Sequence, residues 1–290
     1  AKKIKLLNKN IPIIHYVAPS VWAWRPNRAE KISNFIDHVL ALFPFEPQYF
    51  HNVGIGCDFV GHPIVSETTA DEESVKEFKK VYALKDEPLI LCLPGSRRSE
   101  INRLMPTFGK TLQKFSNALP DARFVLASTP NVYEYSKNFL DCMPNDIIFL
   151  TPEKFGIEKY LEFKKASFKI SHLALAASGT VCLELAANDT PMVIGYDMNF
   201  LSRQIISFML RTDTVNLVNL ITGNRNIPEC IGLDFKSEQL FLEMVRVYSN
   251  NRKQIKDFKT TMDLLGFSKE PPNVRAANSL LSFFENFKTV

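Results

Sequence analysis

The 290-residue sequence contains no run of about 18 apolar residues, so it predicts no membrane-spanning helix. Its lysine-rich start also lacks the apolar stretch that a signal peptide requires. On these two observations we expect neither an integral membrane protein nor a secreted one. We therefore expect a cytoplasmic protein.

Metal-binding and nucleophile motifs are missing as well. The five cysteines are far apart, with no C-x-x-C pair and no Cys/His spacing typical of a metal site. The glycines of residues 54–61 have the wrong spacing for a dinucleotide fingerprint, and neither a G-K-[ST] phosphate loop nor a G-x-S-x-G motif occurs. The sequence thus predicts reduced, buried cysteines, no metal and no cofactor.

The charge is mildly basic, with a net charge of +4 and a pI of about 8.7. This charge favours contact with phosphates or an anionic membrane surface, but no basic tract predicts a nucleic-acid partner. The length allows two domains of ordinary size. The chain starts at Ala1, and residues 1–9 resemble the end of an amphipathic helix, so we expect a fragment of a longer protein.

Hydrophobic periodicity predicts strands that alternate with helices along most of the chain. The predicted strands cover residues 11–17, 38–43, 57–60, 89–93, 123–127, 147–150, two segments near Phe168 and Ala174, 192–195 and 214–217. The predicted helices cover residues 28–36, a short turn from Pro44, 72–81, 106–119, 132–140, 157–165, 199–210, 236–248, 253–265 and 274–287. This alternation predicts an α/β fold with parallel, doubly wound sheets, and the polar segment 64–71 is the expected linker.

The most informative segment is 175–196, which predicts a strand, a turn of small residues, a helix and another strand. Ser178, Gly179 and Thr180 fall where the helix opens, a point at which amide groups attract an anion. Glu184 lies one turn further along and can reach a hydroxyl of the same ligand, which favours a nucleotide sugar. A small-residue turn also serves steric purposes alone, and that alternative stays open.

A second turn of this kind follows the predicted strand 89–93. Arg97 lies at its tip and could hold a diphosphate through charge-assisted hydrogen bonds, with Arg98 as the weaker candidate. The alternative is a solvated basic loop. Asn216 and Asn219 follow another predicted strand, and either face the same pocket or bond the backbone of a turn.

A third cluster occupies residues 15–28, where a predicted strand and a proline turn precede both tryptophans of the chain. Trp22 and Trp24 beside Arg25 and Arg28 suit a sugar or a lipid head group. The alternative is that the tryptophans fill the core and that the arginines form a solvated face.

Six segments together resemble the lipid-A-disaccharide synthase family, across residues 11 to 225. They are residues 16–25, 42–46, 59–63, 93–97, 178–184 and 191–196, and the Pro-Ser-Val-Trp-Ala-Trp-Arg run at 19–25 is the most specific. The resemblance implies two Rossmann-like domains of the GT-B type, the N-terminal one incomplete, with a helical C-terminal tail. Residues 1–66 would form the end of the acceptor-side domain, 67–266 the UDP-sugar domain, and 267–290 a helix that packs toward the first domain or a partner chain.

The resemblance also implies an activity. The enzyme would be an inverting glycosyltransferase that moves a 2,3-diacylglucosamine from UDP to 2,3-diacylglucosamine 1-phosphate, giving lipid A disaccharide 1-phosphate and UDP. It would need neither metal nor cofactor, would be peripheral on the cytoplasmic face of a Gram-negative inner membrane, and is compatible with a homodimer. The implied UDP-binding residues are Arg97, Ser178, Gly179, Thr180, Glu184 and Asn219. The implied residues on the acceptor or lipid side are Ser20, Trp22, Trp24 and Arg25.

One departure from the family concerns catalysis. In the family, an αβ segment that carries the aspartate proposed as general base precedes the matched region. An inverting displacement requires such a base to take the proton of the acceptor hydroxyl. Glu30, Asp37, Glu46 and Asp58 look like helix-face, turn or surface groups. The sequence therefore assigns no catalytic residue, places the expected base before residue 1, and leaves the activity of these 290 residues alone in question. Two alternatives stay open, namely a UDP-sugar-binding remnant without turnover and another UDP-sugar enzyme such as an epimerase.

Overall fold

The computed structural model describes residues 1–22, 27–197 and 213–287, which contain nine strands and twelve α-helices. The strands are β1 (Ile14–Tyr16), β2 (His38–Ala41), β3 (Gly56–Phe59), β4 (Leu89–Leu93), β5 (Arg123–Ala127), β6 (Ile148–Leu150), β7 (Leu173–Ala176), β8 (Met192–Tyr196) and β9 (Glu229–Ile231). The helices are α1 (Lys2–Leu7), α2 (Asn27–Ser33), α3 (Pro47–His51), α4 (Glu72–Val81), α5 (Arg98–Ala118), α6 (Tyr133–Ser136), α7 (Pro152–Ile170), α8 (Val181–Ala187), α9 (Leu217–Thr222), α10 (Ser237–Ser249), α11 (Arg252–Leu265) and α12 (Pro272–Phe287).

The backbone separates into two compact units. The first comprises the described part of residues 1–67 together with 213 and 260–287, and the second comprises 68–197 and 214–259. The C-terminal helix α12 therefore belongs to the same unit as the N-terminal strands.

The first unit is built on a parallel sheet of three strands in the order β1-β2-β3. Every residue of β2 is buried because it pairs with a strand on either side and apolar side chains cover it. Ala276 and Leu280 of α12 pack on one face of this sheet. Arg275 of the same helix donates a hydrogen bond of 2.6 Å to the carbonyl oxygen of Phe59, at the end of β3.

The second unit is built on a parallel sheet of six strands in the order β6-β5-β4-β7-β8-β9. The central strands β4 and β7 pair in register from Ile90 opposite Leu173 to Leu93 opposite Ala176. All residues of both strands are buried, as is typical of parallel strands that are covered by helices on both faces.

Helix α5 covers the sheet with an apolar stripe. Ile101, Leu104, Met105 and Phe108 follow the helical spacing, are fully buried and share one core cluster with β4 and β7. The burial of this stripe explains why the helix forms across Pro106, which removes one internal hydrogen bond.

The predicted α/β fold with parallel sheets is confirmed, and β4, β5 and α4 begin and end at the predicted residues. The predicted start of α5 at Pro106 is wrong. The helix begins at Arg98, because the carboxylate of Glu100 accepts the backbone N–H groups of Ser96 and Arg97 and satisfies the helix start there.

Two predicted strands are also wrong. Phe168 lies in the last turn of α7, which continues to Ile170, and residues 214–217 do not form a strand because Asn216 caps α9. The short strand β9 was not predicted, since three residues carry too little periodicity. The predicted helix 199–210 lies outside the described residues.

Candidate functional site

The two turns that the sequence singled out lie side by side at one edge of the six-stranded sheet. From β4 the chain proceeds through β5 and β6 on one side, then continues with β7 on the other side of β4. The carboxyl ends of β4 and β7 therefore define the point where the strand order reverses. In open parallel sheets ligands bind in the crevice at this point. The turn with Arg97 follows β4, and the turn with Ser178, Gly179 and Thr180 follows β7.

The turn after β7 is anchored by a side-chain hydrogen bond, and the backbone of its next two residues is accessible to a ligand. The Ser178 hydroxyl donates a 2.7 Å hydrogen bond to the carbonyl oxygen of Val215, so this side chain anchors the turn. Gly179 has a φ of +153°, and a Cβ built on it would meet no atom of the described residues within 4 Å. Thr180 is exposed and directly precedes α8, a helix of seven residues, without a side-chain cap bond. A ligand can thus approach the backbone of Gly179 and Thr180 without displacing a side chain.

Glu184 lies in the first turn of α8, as predicted, and is paired with Lys164 of α7. The Lys164 ammonium is 2.7 Å from a carboxylate oxygen of Glu184, and the two side chains are 21% and 34% exposed. The remaining lone pairs of this carboxylate can accept hydrogen bonds from ligand hydroxyls.

Arg97 projects from the turn after β4 with 74% of its side chain exposed. Its Nη1 lies 2.8 Å from Oε1 of Glu100, whose other oxygen accepts the N–H groups of Ser96 and Arg97. Burial raises the pKa of Tyr196 at the end of β8, with Glu100 adding to the rise and Arg97 opposing it, so these groups are neighbours. Arg98 points elsewhere, because its guanidinium lies 5.5 Å from the centre of the Tyr135 ring.

The prediction that Asn219 contacts UDP is not supported by its surroundings. Asn219 is fully buried, its oxygen accepts the N–H of Ile227, and its nitrogen donates to the Ile227 carbonyl and to Glu229, at 2.9 Å each. Both ends of the amide are used inside the protein. The reason is that Asn219 lies in α9 rather than beyond a strand end.

Glu229 is the residue that connects Asn219 with the predicted turn, and sequence reasoning missed it. Its carboxylate accepts the N–H groups of Val215 and Asn216 at 2.8 and 2.9 Å, in addition to the bond from Asn219. Since Ser178 donates to Val215, one hydrogen-bonded network joins Ser178 to Asn219. No local sequence signal identifies Glu229, because its partners lie 10 to 14 residues away.

In the first unit, the predicted acceptor-side residues follow the carboxyl end of β1. Ser20 is exposed, and Trp22 packs edge-on against Phe43 and Phe45, with ring centres 6.4 and 5.4 Å apart. Trp24 lies outside the described residues, as does Arg25. Trp22 thus contributes to an aromatic group at the sheet edge rather than to the core beneath the sheet.

Glu46 lies in the turn between β2 and α3, as expected, but it is not a surface group. Glu46 is 2% exposed, and its carboxylate accepts the N–H groups of Leu42 and Phe43 at 3.1 and 3.0 Å and the Trp22 Nε1–H at 3.2 Å. Burial raises the pKa of Glu46 to about 7, although the three hydrogen bonds act in the opposite direction. The sequence neighbours of Glu46, two phenylalanines and a proline, gave no indication that its carboxylate is buried and hydrogen-bonded.

Comparison with solved structures defines the class of fold. The UDP-GlcNAc 2-epimerase from Neisseria meningitidis bound to UDP-GlcNAc has a TM-score of 0.62 at 12% identity and covers 96% of this chain and 72% of that chain. The S. aureus MnaA–UDP co-structure has a TM-score of 0.60 at 15% identity, with 99% and 71% covered. The chain has the GT-B type of fold, with two Rossmann-like units, and at these identities the likeness concerns the fold alone.

Sequence relatives identify the family within that class. A family model described as lipid-A-disaccharide synthetase matches residues 1–279. The lipid-A-disaccharide synthase of Ruegeria pomeroyi is 43% identical over 272 residues, covering 94% of this chain and 68% of that protein. The enzyme of the same name from Rhodospirillum centenum is 38% identical over 285 residues, with 97% and 69% covered. The chain belongs to the lipid-A-disaccharide synthase family.

The predicted family, its GT-B fold and its function in lipid A disaccharide synthesis are thereby confirmed. The family match also sets this chain apart from the epimerases that share its fold. Within the described ranges no helix is long and apolar enough to cross a bilayer. In the same part of the chain, no three His, Cys, Asp or Glu side chains converge as a metal site would require.

Proposed function

We propose that the chain catalyses, or supplies the donor half of, transfer of a 2,3-diacylglucosamine from UDP to the 6-hydroxyl of 2,3-diacylglucosamine 1-phosphate. The acceptor oxygen attacks the anomeric carbon, the bond from that carbon to the diphosphate breaks, and UDP leaves with the electron pair. The acceptor hydroxyl loses its proton to a base. The products are lipid A disaccharide 1-phosphate and UDP.

The observation that carries this proposal is the position of the two small-residue turns at the switch point of the six-stranded sheet. A diphosphate there would meet the guanidinium of Arg97 from one turn and the backbone of Gly179 and Thr180 from the other. Negative charge that develops on the departing UDP would be stabilised by the same groups. Glu184 would accept the hydroxyls of the ribose.

The remaining predicted roles are proposals with different support. Asn219 would shape the site through Glu229 and Val215 rather than touch UDP. Ser20 and Trp22, with Trp24 and Arg25, would face the acylated sugars, supported by the aromatic edge of the first unit. On this assignment the second unit binds the UDP-sugar and the first holds the acceptor.

The membrane and dimer assignments also belong to the proposal. Both substrates carry acyl chains, so the enzyme would work as a peripheral protein on the cytoplasmic face of the inner membrane. The net charge of +4 favours an anionic surface, and α1 exposes Leu6 and Leu7 beside lysines. A homodimer would use the exposed side of α12, where Leu281 is 63% exposed.

Calorimetric titration of UDP into the full chain tests the site. Arg97→Ala should weaken UDP binding by roughly ten- to a hundred-fold, the effect of about 1.5–3 kcal/mol that a lost charged hydrogen bond has. The matched control is Arg246→Ala, because Arg246 is also exposed and paired with a glutamate three residues away, but on α10. Equal affinity of both variants and the parent would refute the assignment of Arg97.

A transfer assay with the two acylated sugars then tests turnover. Product formation supports the full reaction, whereas UDP binding without product supports a UDP-sugar-binding remnant. Consumption of UDP-N-acetylglucosamine without acyl chains would favour the epimerase alternative. Absence of UDP binding by the parent chain would overturn the proposal as a whole.

A further inference from the structure

The carboxyl edge of the three-stranded sheet carries an aromatic group that surrounds a buried carboxylate. We call Trp22, Phe43, Phe45 and His62 the Trp22 cluster. Its members follow the carboxyl ends of all three strands, and Phe43 stacks on Phe45 and on His62 with ring centres 5.6 Å apart in both pairs. Ligands of parallel sheets bind at this edge. Glu46 lies beneath the cluster.

Both oxygens of the Glu46 carboxylate are taken by the protein. Oε2 accepts the N–H groups of Leu42 and Phe43, and Oε1 accepts the indole N–H of Trp22. With 2% exposure and hydrogen bonds to both of its oxygens, this carboxylate is poorly placed to take a proton from a substrate hydroxyl. Its contacts instead tie the indole ring to the turn that follows β2.

The segment that carries Trp22 has a strained backbone and requires contacts that stabilise it. It leaves β1 through Val17, whose φ of +70° is a strained conformation for a β-branched residue. Strain of this kind persists only where the surroundings hold the backbone in place. The Val17 N–H donates to the Leu40 carbonyl at 3.1 Å, and further along the segment Val21, buried to 1% exposure, and the bond from Trp22 to Glu46 add to this anchoring.

We propose that Glu46 is a positioning residue for the lipid-A-disaccharide synthase reaction, which fixes the orientation of Trp22 at the ligand edge of the first unit. This inference rests on the proposed function for its effect on catalysis, because that function assigns Trp22 to the acylated sugars. Its structural part, the control of Trp22 by Glu46, is independent of any substrate.

The ionisation of Glu46 provides the readout. Burial raises the pKa of Glu46 to about 7, and an ionised carboxylate accepts the indole N–H more strongly than a protonated one. Cys57 on β3 does not titrate in the same range, since burial, with the charge of Glu46 adding, raises its pKa to about 12. Burial lowers the pKa of His62 to about 4. Two further titratable side chains close to Cys57 are His51 of α3, bonded to the carbonyl of Cys57, and Asp58 of β3, whose charge also acts on the Cys57 thiol.

The test uses Trp22 as the only tryptophan, in the full chain with Trp24→Phe. Its fluorescence and its quenching by acrylamide are recorded between pH 5.5 and 8.5. We expect a transition with a midpoint near 7 that disappears in Glu46→Gln, in which an amide N–H₂ replaces one acceptor oxygen. Asp37→Asn is the matched control, because Asp37 also accepts a backbone N–H, that of Ile13, but precedes β2 at the opposite edge.

Two fluorescence outcomes would overturn the proposal. The first is the absence of any transition in the parent, and the second is a transition that survives in Glu46→Gln, which would assign it to another group. Circular dichroism confirms that each variant is folded. Should Glu46→Gln not fold, the titration of the Glu46 carboxyl followed by carbon-13 NMR decides, because Trp22→Phe removes the same bond from the donor's side and should raise the midpoint. An unchanged midpoint would overturn the proposal.

The catalytic part is tested by kinetics. Glu46→Gln and Trp22→Phe should each lower kcat/KM for the acylated sugars by roughly ten-fold, and the double variant should lose no more than either single one. Additive losses would overturn a role through Trp22. If the parent binds UDP but shows no transfer, turnover by this chain alone is refuted, while the fluorescence titration still tests the positioning of Trp22.

Discussion

Asn219→Ala is the change that best distinguishes a ligand-binding residue from one that builds the site. The structure gives its magnitude, because the substitution leaves the N–H and the C=O of Ile227 without their partner and removes one donor from Glu229. Each buried group left unsatisfied costs about 1–3 kcal/mol. We therefore expect Asn219→Ala to lower the free energy of unfolding of the second unit by about 2–5 kcal/mol.

The assay is urea unfolding of the full chain followed by far-UV circular dichroism. Both tryptophans precede residue 68, so tryptophan fluorescence reports on the first unit and serves as an internal reference. The matched control is Asn224→Ala. Asn224 is exposed and makes one side-chain bond, to the buried Asp257 at 2.8 Å, and Asp257 keeps its bond from Asn226. The loss of this single bond should therefore cost about 1.5 kcal/mol, below the range expected for Asn219→Ala.

UDP titration of the same variants completes the test. If Asn219 acts through Glu229 and Val215, affinity should fall together with stability, because the turn that Ser178 anchors is loosened. A variant that keeps the stability of the parent and loses UDP affinity would refute this reasoning. It would restore Asn219 as a residue that touches the nucleotide.

Two further predictions concern the first unit and the turn after β4. Burial raises the pKa of Glu46 from 4.5 to about 7, so the contribution of Glu46 to stability is complete below pH 4.5 and is lost as the pH rises through 7. Measured by tryptophan fluorescence and relative to Glu46→Gln, the free energy of unfolding of the parent should fall by about 3 kcal/mol between pH 4.5 and 8. A difference between the two proteins that stays constant with pH would contradict this. Gly95 has a φ of +107°, and a Cβ there would lie 2.4 Å from Oε2 of Glu100. Gly95→Ala should therefore lower the free energy of unfolding by about 2 kcal/mol more than Gly54→Ala, because Gly54, with a φ of +78°, has no described atom within 4 Å of an added Cβ. Equal losses of stability in urea unfolding would show that Glu100 moves away freely.

The sequence predicted what depends on short-range pattern. Continuous apolar runs identified β4 and β7, and the small residues after them identified both turns of the switch point. The start of α5 was missed because proline is a frequent first residue of a helix, whereas the actual start depends on how Glu100 folds back onto Ser96 and Arg97. Periodicity does not report such side-chain to backbone bonds.

The roles of Glu46 and Asn219 could not be predicted for a related reason. Both side chains were judged by their type and neighbours in the sequence, where an acidic or amide residue near a turn is usually exposed. Their burial follows from contacts with Trp22, 24 residues away, and Ile227, eight residues away. The resemblance to the family carried over the residues of a motif but not the distinction between touching a ligand and supporting the turn that does.

The same arrangement of a glutamate and a turn occurs within each of the two units. In each, a glutamate carboxylate accepts two consecutive backbone N–H groups of a turn at or beside the ligand edge. The pairs are Leu42 and Phe43 on Glu46, Ser96 and Arg97 on Glu100, and Val215 and Asn216 on Glu229. Such bonds satisfy amides that would otherwise be open to an anion, and they fix the turn before any ligand arrives.

At the turn after β4, this arrangement determines which groups would be available to bind a diphosphate. The N–H groups of Ser96 and Arg97, which precede α5, are directed at Glu100, so on the proposed assignment a phosphate at this turn would interact with the Arg97 side chain rather than with these two amides. A guanidinium has five N–H donors, and one nitrogen of Arg97 is directed at Glu100. Glu100 would therefore orient Arg97 while leaving donors for the ligand. We expect the turn after β7 to supply the main backbone contribution, because among the described residues no atom lies within 4 Å of a Cβ built on Gly179.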